Sequence, residues 1–490
     1  MGNAYDQKAY AKGFVLSRHG APRAPSAWTS GRFAGFELAH DPALETRIVE
    51  ARGISILCFG PICNARAPEL SPERYLAQLA QARSLSESAF HEELGWSCGR
   101  YVLLCAAGEG LHAYTDAAAT RQVFHHAQAE VLASHVWLLG RNAPEAKRSQ
   151  PMEHRGGYPG RALPVAGGYR LTPNTRLDLR SFAVERYWPQ ERLPRIDSAE
   201  AAARVGRLMK GALEHAARFR SPVVSATAGL DSRATVALCR DIPQARFFTY
   251  YRGDHVDSDR PDRDFAQALQ RETDRRIKLV DRADAQGMDP DFERMLDRNT
   301  LAPCQRRVAW LCHQKFADDP MLLHLRSNVA EIGREYYARY RFELESPRDM
   351  ARLYLHPNRT YKVDYLLKII EMFEDFSAAT GFFEATRMID AKSLFYWEFR
   401  MSSWLGNALT ESDIALEAAS PYNCRKVIEA MLSVPREDRH AGSVQRRIVA
   451  AAWPALTRYP LNEAPFWPSG IPQDLRAHIP DTVAPVSAVD

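Results

Sequence analysis

From Ser198 onward, short apolar runs alternate with helical stretches, and this alternation limits the fold more than any other feature of the sequence. The run from Val223 to Ala226 predicts a strand, and the turn after it leads into a predicted helix that ends at Leu238. The other predicted elements of this half are a helix over 199–219, strands over 246–251 and 276–280, a helix over 264–274 and mostly helical additions over 363–453. Strands joined by helices form parallel sheets, so the second half is predicted to be an α/β domain.

The first half has a different pattern, in which Gly and Pro interrupt short alternating or apolar runs. These runs predict a β-rich domain, and they lie at 54–59, 101–104 and 136–139. One helix is predicted over 71–84, because Ser71-Pro72 is a typical helix start and an apolar face follows it. The predicted fold class is therefore an α+β domain followed by an α/β domain.

Length and composition limit the class of protein. The chain has 490 residues, which is too long for one hydrophobic core, and two domains are predicted over 1–195 and 196–490. Hydrophobic residues make up 46% of the chain and charged residues 25%, as in soluble globular proteins. The net charge of only +4 argues against a nucleic-acid partner, which would need a concentrated basic face.

The sequence carries no mark of membrane insertion or export. No apolar run approaches the ~20 residues that span a bilayer, and the polar N-terminus has no secretory signal. A membrane partner is therefore not expected, and a cytoplasmic localisation is predicted. The eight cysteines form no CxxC pair and no regular framework, so reduced and mostly buried thiols are predicted.

The stretch SATAGLDSR, residues 225–233, lies between the predicted strand and helix of the second half. Backbone N–H groups at the start of a helix attract anions, and Gly229 lets a phosphate approach closely. The hydroxyl groups of Thr227 and Ser232 add two donors. The carboxylate of Asp231 would repel a phosphate without a divalent cation between them, so the pattern predicts a nucleotide phosphate with Mg²⁺. The alternative is an ordinary helix start, in which Ser and Asp cap the backbone.

This loop resembles the pyrophosphate-binding loop of N-type ATP pyrophosphatases, S-G-G-x-D-S. Thr227 stands at its first serine and Ala228 at its first glycine, while the other positions match. By this resemblance ATP and pyrophosphate are expected to contact Thr227, Ala228, Gly229, Leu230, Asp231 and Ser232. Ser225 and Arg326 are further candidates for these contacts. Mg²⁺ is expected to bind to Asp231 and Glu331.

The order of the surrounding segments resembles the asparagine synthetase and β-lactam synthetase group. Three stretches are similar to that group's glutaminase-like domain: GISILCFGPICN (53–64), GRYVLLCAAGEGLHAYTD (99–116) and GGYRLTPNTRLDLRSFAVERYWP (167–189). The resemblance implies an Ntn-hydrolase-like sandwich first and then an ATP pyrophosphatase domain of the adenine nucleotide α-hydrolase type. Glutaminases of this group use an N-terminal cysteine, whereas the first cysteine here is Cys58, inside a predicted strand. Glutamine hydrolysis is therefore not expected.

A second departure concerns the loop that closes the metal site in this group, S-G-E-G-A-D-E. The corresponding residues here are 326–331, after a predicted strand over 321–325, and their glycines are missing. Glu331 stands where the group has an aspartate, and a longer carboxylate can still bind Mg²⁺ in a loop of another shape. Arg326 and Arg334 are candidates for phosphate contacts. The alternative is that Glu331 only caps a helix.

Two further features concern catalysis. EAASPYNCR places Glu417 four residues before Pro421, as in the group, where this glutamate supports deprotonation of the attacking amine. That role needs a pKa raised by burial, and the alternative is a surface charge on a helix. The group's lysine for the adenylation transition state is missing, since no lysine follows Lys426. Arg446 or Arg447 is expected to take its place.

Together these features predict an ATP-dependent, AMP-forming carbon–nitrogen ligase of the asparagine synthetase-like kind. A carboxylate-bearing small molecule or peptide would attack the α-phosphorus of ATP, release pyrophosphate and pass its acyl group to an amine donor. Without glutamine as the nitrogen source, the chain resembles β-lactam synthetases and lasso-peptide cyclases, so a step in peptide or natural-product biosynthesis is predicted. A homodimer or a biosynthetic partner protein is compatible with this role. The alternative is a degenerate relative that binds a nucleotide or a peptide partner without turnover.

Overall fold

The computed structural model of the chain describes residues 8–149, 157–251, 256–273, 275–301, 303–317, 319–356, 358–462, 466–467 and 473–478. Residues up to Arg186 build antiparallel sheets, and residues from Ser198 build a parallel sheet with many helices. This order agrees with the predicted α+β region followed by an α/β region. None of the helices in the described ranges is both long and apolar enough to cross a membrane.

The strands of the first half form two large antiparallel sheets and one small one. They are β1 (Phe14–Ser17), β2 (Thr29–Phe33), β3 (Phe36–His40), β4 (Thr46–Ala51), β5 (Ile54–Phe59), β6 (Ile62–Asn64), β7 (Ser97–Gly99), β8 (Val102–Ala107), β9 (Gly110–Thr115), β10 (Phe124–His126), β11 (Val131–Ala133), β12 (Gly168–Arg170), β13 (Thr175–Asp178) and β14 (Val184–Arg186). The large sheets have the strand orders β12-β10-β11-β1-β3-β2 and β14-β13-β9-β8-β5-β4, while β6 pairs with β7.

The two large sheets pack face to face across one apolar core. Core residues recur at every second position of a strand, as Phe14 and Leu16 do on β1 and Leu57 and Phe59 do on β5. Alternate side chains of a strand point to the same face, so this spacing places them all between the sheets. The rings of Phe14 and Phe59 stack with centroids 4.3 Å apart. The first half is thus a two-layer β-sandwich.

The helices of this half are α1 (Pro72–Leu85), α2 (Glu87–Leu94) and α3 (Val136–Asn142). The helix predicted over 71–84 is confirmed as α1, and the hydroxyl group of Ser71 accepts from the N–H of Arg74 at 3.3 Å. The strand-like prediction for 136–139 is wrong, because these residues begin α3. An unbroken apolar run has no period that distinguishes a buried helical turn from a buried strand.

The second half contains five strands of a parallel sheet among the described residues: β15 (Ser221–Ser225), β16 (Arg246–Tyr251), β17 (Ile277–Asp281), β18 (Leu322–Leu325) and β19 (Glu417–Ala419). Its α-helices are α4 (Ser198–Phe219), α5 (Leu230–Leu238), α6 (Val256–Thr273), α7 (Pro290–Asn299), α8 (Arg306–Phe316), α9 (Pro347–Tyr354), α10 (Val363–Thr380), α11 (Phe382–Ala385), α12 (Ala391–Phe395), α13 (Gly406–Ser412), α14 (Arg425–Leu432), α15 (Arg436–Ala441) and α16 (Ser443–Ala452). A π-helical stretch spans Tyr396–Leu405, and 3₁₀ turns span Arg282–Ala285, Ala330–Arg334, Pro454–Arg458 and Gln473–His478. The predicted strands and helices of this half are confirmed, mostly with small shifts of their ends, but α6 begins eight residues before the predicted start at 264. The strand β19 lies in a region predicted to be mostly helical.

The parallel sheet has the strand order β17-β16-β15-β18-β19. The chain places β16 and β17 on one side of β15 and then crosses to the other side with β18 and β19. In open α/β sheets, ligands bind outside the carboxyl ends of the strands at the point where the order reverses. Here that point lies between β15 and β18, which are followed by the loops 226–229 and 326–329. The topology therefore brings the two predicted ligand-binding loops to one edge.

Buried ion pairs join the two halves of the chain. Arg100 lies just before β8, and its guanidinium contacts the carboxylates of Asp413 and Glu417 at 2.5 and 3.1 Å. Arg121, also from the first half, contacts Glu417 at 2.7 Å. Each of these four side chains is at most 5% exposed. The β-sandwich is thus attached to the β19 edge of the parallel sheet.

Candidate functional site

The loop from Ala226 to Gly229 joins the carboxyl end of β15 to the start of α5. Gly229 has extended backbone angles, φ −67° and ψ 146°, and no side chain in the described ranges caps this helix. The hydroxyl groups of Thr227 and Ser232 bond each other at 2.6 Å, and Ser232 Oγ donates to the carbonyl oxygen of Gly229 at 3.0 Å. These bonds hold the turn in shape, while the start of α5 offers amide donors that favour an anion.

Three other residues predicted to contact ATP surround this turn. Leu230 is only 4% exposed and packs in the apolar core, so its side chain is not available to a ligand. The hydroxyl group of Ser225 bonds Nε2 of His324 on β18 at 2.7 Å, which ties it to the neighbouring strand. The N–H of Ala228 donates to Oδ1 of Asp262 on α6 at 2.7 Å. One amide of the loop therefore has a carboxylate acceptor that an incoming phosphate would replace.

Two partly buried carboxylates lie at this edge of the sheet, Asp231 in the first turn of α5 and Glu331 in the 3₁₀ turn after β18. Oδ2 of Asp231 accepts from Nη1 of Arg334 at 2.8 Å, and Oε1 of Glu331 accepts from Nδ2 of Asn328 at 3.2 Å. The other oxygens, Oδ1 of Asp231 and Oε2 of Glu331, are buried without a hydrogen-bond partner among the described residues. A buried oxygen without a partner is costly, so this pair is suited to a cation.

The pKa values of the two carboxyl groups reflect burial and mutual repulsion. Burial raises the pKa of Asp231, although the positive charge of Arg334 opposes this. Burial, followed by the negative charge of Asp231, raises the pKa of Glu331 to about 7. A divalent cation between the two groups would remove the repulsion and favour both charged forms.

The ligand set fits Mg²⁺ bound together with a nucleotide. Mg²⁺ is usually held by one or two carboxylates and completes its shell with phosphate oxygens and water. The two unpaired oxygens of Asp231 and Glu331 supply the protein's share of such a shell. Within the described ranges, no three His, Cys, Asp or Glu side chains are placed to hold a metal ion by themselves. The phosphates would therefore supply the remaining ligands.

Donor side chains from α16 complete this edge of the sheet. The amide of Gln445 lies close enough to Asp231 to favour its charged form, yet Gln445 Nε2 makes no hydrogen bond of good geometry. Nη1 of Arg446 is also buried without a hydrogen bond. Nε of Arg446 donates to the carbonyl oxygen of Ala441 at 2.8 Å, and its guanidinium lies 5.3 Å from the ring of Phe466. Burial, followed by the charge of Arg334, lowers the pKa of Arg446. Gln445 Nε2 and Arg446 Nη1 are therefore two donors of α16 that have no hydrogen bond among the described residues.

The neighbouring Arg447 contacts residues outside this edge of the sheet. Its Nε donates to the hydroxyl group of Ser198 at 3.1 Å, and its Nη1 pairs with Asp474. These contacts fasten α16 to the start of α4 and to the 3₁₀ turn Gln473–His478. Of the two arginines predicted to replace the missing lysine, Arg446 keeps a buried Nη1 without a hydrogen bond among the described residues, whereas the contacts of Arg447 hold helices together.

The loop after β18 keeps a sharp turn without glycine. Val329 has a φ of 81°, a left-handed conformation that β-branched residues rarely adopt. Arg326 directs its guanidinium to Asn328 at 3.0 Å and to Gln305 at 3.2 Å, and none of its hydrogen bonds reaches the loop 226–229. The turn thus carries Glu331 toward Asp231 and leaves Arg326 on the side of α8.

Glu417 differs from the prediction in both its secondary-structure element and its pKa. It begins the edge strand β19 rather than lying on a helix, and Oε1 accepts from both Arg100 and Arg121. Burial acts to raise its pKa, but the charges of Arg121, Lys12 and Arg100 outweigh burial and lower the pKa to about 2. The prediction of a raised pKa is therefore wrong. A carboxylate held so firmly in its charged form is a poor proton acceptor for an amine.

The charge of Glu417 predicts an acid-dependent loss of stability. Its pKa is about 2 in the folded chain against 4.5 when unperturbed, so the ionised form stabilises the fold above pH 4.5. This stabilisation is lost as the pH falls from 4.5 toward 2. Glu417→Gln should remove it, so the unfolding free energy of the variant should change less over that range. Urea unfolding of both proteins across the range tests this, and equal slopes would contradict it.

A second buried carboxylate, Glu398 in the π-helical stretch, has a similar structural role. Its oxygens pair with Nη1 and Nη2 of Arg186 at 2.6 and 2.9 Å, and Asn174 donates to it at 2.9 Å. Glu398 therefore attaches the π-helical stretch to the β-sandwich. Two residues further on, the guanidinium of Arg400 lies 4.9 Å from the ring of Trp404.

The structure thus brings one part of the predicted residue set together and separates the rest. The residues at the common edge are Thr227, Ala228, Gly229, Asp231, Ser232, Glu331 and Arg446. Those with other partners are Ser225, Arg326, Glu417 and Arg447, and the side chain of Leu230 packs in the core. Comparison of the chain with protein-family models and with curated protein sequences gives no match.

Proposed function

We propose that the chain is an ATP-dependent ligase that adenylates a substrate carboxylate, releases pyrophosphate and couples the acyl group to an amine. The observation that carries this proposal is the pair of unpaired carboxylate oxygens, Asp231 Oδ1 and Glu331 Oε2, beside the start of α5. They lie at the point where the strand order of a parallel sheet reverses, which is a common place for nucleotides. In this proposal the β-sandwich is of the Ntn-hydrolase type, and the parallel sheet belongs to an ATP pyrophosphatase domain of the adenine nucleotide α-hydrolase type.

In this proposal, different residues of the site would bind the cation and the phosphates. Asp231 and Glu331 would hold Mg²⁺, which supplies charge neutralisation for the phosphates. The amides at the start of α5 and the hydroxyl group of Thr227 would donate to the leaving pyrophosphate. Gln445 Nε2 and Arg446 Nη1 on α16 would be further donors. Donors held in place before the reaction stabilise the charge that develops in the transition state.

The proposed nitrogen source is an amine of the substrate or of a second molecule, with no glutaminase activity. Cys58 is fully buried, and burial raises the pKa of its thiol to about 12. A thiol of this kind is not a nucleophile near neutral pH. A carboxylate-bearing small molecule or peptide and an amine donor therefore remain the proposed substrates, as in peptide or natural-product biosynthesis in the cytoplasm. A homodimer or a biosynthetic partner protein stays compatible with the proposal.

Incubation with ATP, Mg²⁺ and panels of carboxylic acids and peptides tests the proposed reaction. The expected products are AMP and pyrophosphate in equal amounts, together with an amide when the correct amine is present. Formation of ADP and phosphate instead would contradict the proposal. Product analysis by ion-exchange chromatography separates these two outcomes.

Adjacent arginines of α16 provide a matched pair of variants. Arg446→Gln should lower the rate of AMP formation by about 10²-fold, the usual loss when a donor to a charged transition state is removed. Arg447→Gln should leave the rate nearly unchanged, because Arg447 bonds Ser198 and Asp474. Single-turnover AMP formation is the measurement. Equal losses in both variants would indicate a general effect on α16 rather than a contact with phosphate.

A second candidate function is binding of a nucleotide or a peptide partner without turnover. It is favoured by two contacts: Arg334 neutralises Asp231, and Asp262 occupies the N–H of Ala228. Both contacts satisfy groups that a reacting nucleotide would need. ATP binding measured by calorimetry, with neither AMP nor ADP formed over long incubation, would support this second function.

A further inference from the structure

A cavity of about 440 Å³ lies between the β-sandwich and the parallel sheet, and its lining does not include the loop 226–229. Its walls are mostly apolar, and they include Ile62, Ala216, Phe219, Leu323 and Leu325. The volume lies within the range of about 300–1,000 Å³ that is typical of small-molecule pockets, which often form at domain interfaces. The cavity is therefore a second candidate site, independent of the proposed function.

Most charged side chains at the rim of this cavity are paired with each other. Arg47 contacts Glu45 at 2.8 Å and Glu73 at 2.6 Å, and Arg220 pairs with Glu45 as well. These pairs satisfy the charged groups on the side of β4, α1 and α4. A ligand gains little from groups that are already satisfied.

Two charged groups in the lining, Lys12 and Glu417, can form further hydrogen bonds. Within the described residues, Nζ of Lys12 donates to one acceptor, the carbonyl oxygen of Asp413 at 3.3 Å, although an ammonium group has three donors. Glu417 receives both of its arginine contacts, from Arg100 and Arg121, on Oε1. Its Oε2 accepts no hydrogen bond from the described part of the chain. The cavity therefore offers one cationic donor and one anionic acceptor.

Lys12 and Glu417 lie near each other without forming a direct ion pair. The charge of Glu417 acts to raise the pKa of Lys12, and the charge of Lys12 acts to lower the pKa of Glu417. The described residues nevertheless form no ion pair between these two side chains. A ligand that carries both charges on one carbon can bridge such a gap. Such a ligand has no net charge, so its burial costs less free energy than the burial of a lone carboxylate or a lone ammonium group.

We propose that this cavity binds a free α-amino acid with an apolar side chain. Its carboxylate would lie at Lys12 Nζ and its ammonium group at Glu417 Oε2. Its side chain would pack against Phe219, Leu323 and Leu325. Because the cavity has its own lining, its ligand can be tested without ATP and without knowledge of the ligase substrates.

Calorimetry with L-leucine and two blocked forms of it tests the proposal. N-acetyl-L-leucine lacks the positive charge, and L-leucinamide lacks the carboxylate. Each is expected to bind at least about tenfold more weakly than leucine, since each loses one hydrogen bond between charged groups. Absence of leucine binding at millimolar concentration, or equal binding of all three compounds, overturns the proposal.

Two variants test whether leucine binds in this cavity. Lys12→Met should weaken leucine binding at least about tenfold and leave leucinamide binding unchanged, because only the carboxylate contact is lost. The matched control is Lys8→Met, since Lys8 also donates to a backbone oxygen, that of Ile414 at 3.5 Å, but does not line the cavity. Ala216→Phe should block leucine by filling the cavity, and circular dichroism checks that it folds. Leucine affinity unchanged in both Lys12→Met and Ala216→Phe overturns the proposal.

Discussion

Asp231→Asn is expected to lower the rate of AMP formation by about 10³-fold or more, because it removes one of the two carboxylates proposed to hold Mg²⁺ at the start of α5. The substitution keeps the size of the side chain, so the packing of α5 should survive. It also leaves Arg334 without its charged partner, and this predicts a moderate loss of stability. Single-turnover AMP formation at saturating Mg²⁺ is the measurement, with thermal unfolding run beside it.

Asp241→Asn is the matched control for this variant. Asp241 has a side chain that is 74% exposed and lies beyond the end of α5. The control should retain the wild-type rate. An Asp231→Asn protein that is folded, and that forms AMP at the wild-type rate, would remove Asp231 from the catalytic site.

Arg100→Met is expected to lower the free energy of unfolding by about 3–5 kcal/mol, because it leaves buried carboxylates without their main cation. Arg100 contacts both oxygens of Asp413, at 2.5 and 2.8 Å, and also Glu417 at 3.1 Å. Arg121 remains as a partner of Glu417 alone. The loss should therefore exceed that of any exposed ion pair. Urea unfolding monitored by tryptophan fluorescence measures it.

Arg204→Met provides the comparison, since it breaks an exposed pair with Glu200 one turn away on α4. Pairs of this kind contribute about 0.3–0.5 kcal/mol. A loss in Arg100→Met as small as that in Arg204→Met would contradict a buried network between the two halves. If Arg100→Met unfolds in two steps while the wild-type protein unfolds in one, the network makes the two halves unfold together.

The sequence was most informative where a pattern is local. The apolar runs at β15, β16 and β17 predict the parallel sheet, because helical stretches separate them along the chain. The sequence does not predict the three-residue strand β19, since this strand is too short to show a period and pairs with β18. The run at 136–139 predicts a strand for a related reason, as four apolar residues fit a helical turn equally well.

The candidate site combines local signals with contacts that only the fold provides. Asp231 and Glu331 were both predicted, one from its turn and the other from a resemblance, but their approach depends on the order of β15 and β18. Gln445 carries no sequence signal, since a single glutamine belongs to no motif. Arg446 and Arg447 are adjacent, so only the rotation of α16 against α5 separates a site residue from a packing residue.

Glu417 shows the limit of a motif most clearly. Its position before Pro421 supported a role as a base with a raised pKa. Its actual environment depends on Arg100 and Arg121, which lie some three hundred positions earlier in the chain. The charge state of a buried group is set by its neighbours in space, and a local pattern cannot supply them.

Calorimetric titration with ATP, in the presence and absence of Mg²⁺, is a stringent test of the proposed nucleotide site because it needs no knowledge of the other substrates. We expect Mg²⁺ to strengthen ATP binding to the wild-type protein at least about tenfold, and Asp231→Asn and Glu331→Gln each to abolish this gain. ATP binding that is indifferent to Mg²⁺, or a gain that persists in both variants, would contradict a nucleotide site built on Asp231 and Glu331.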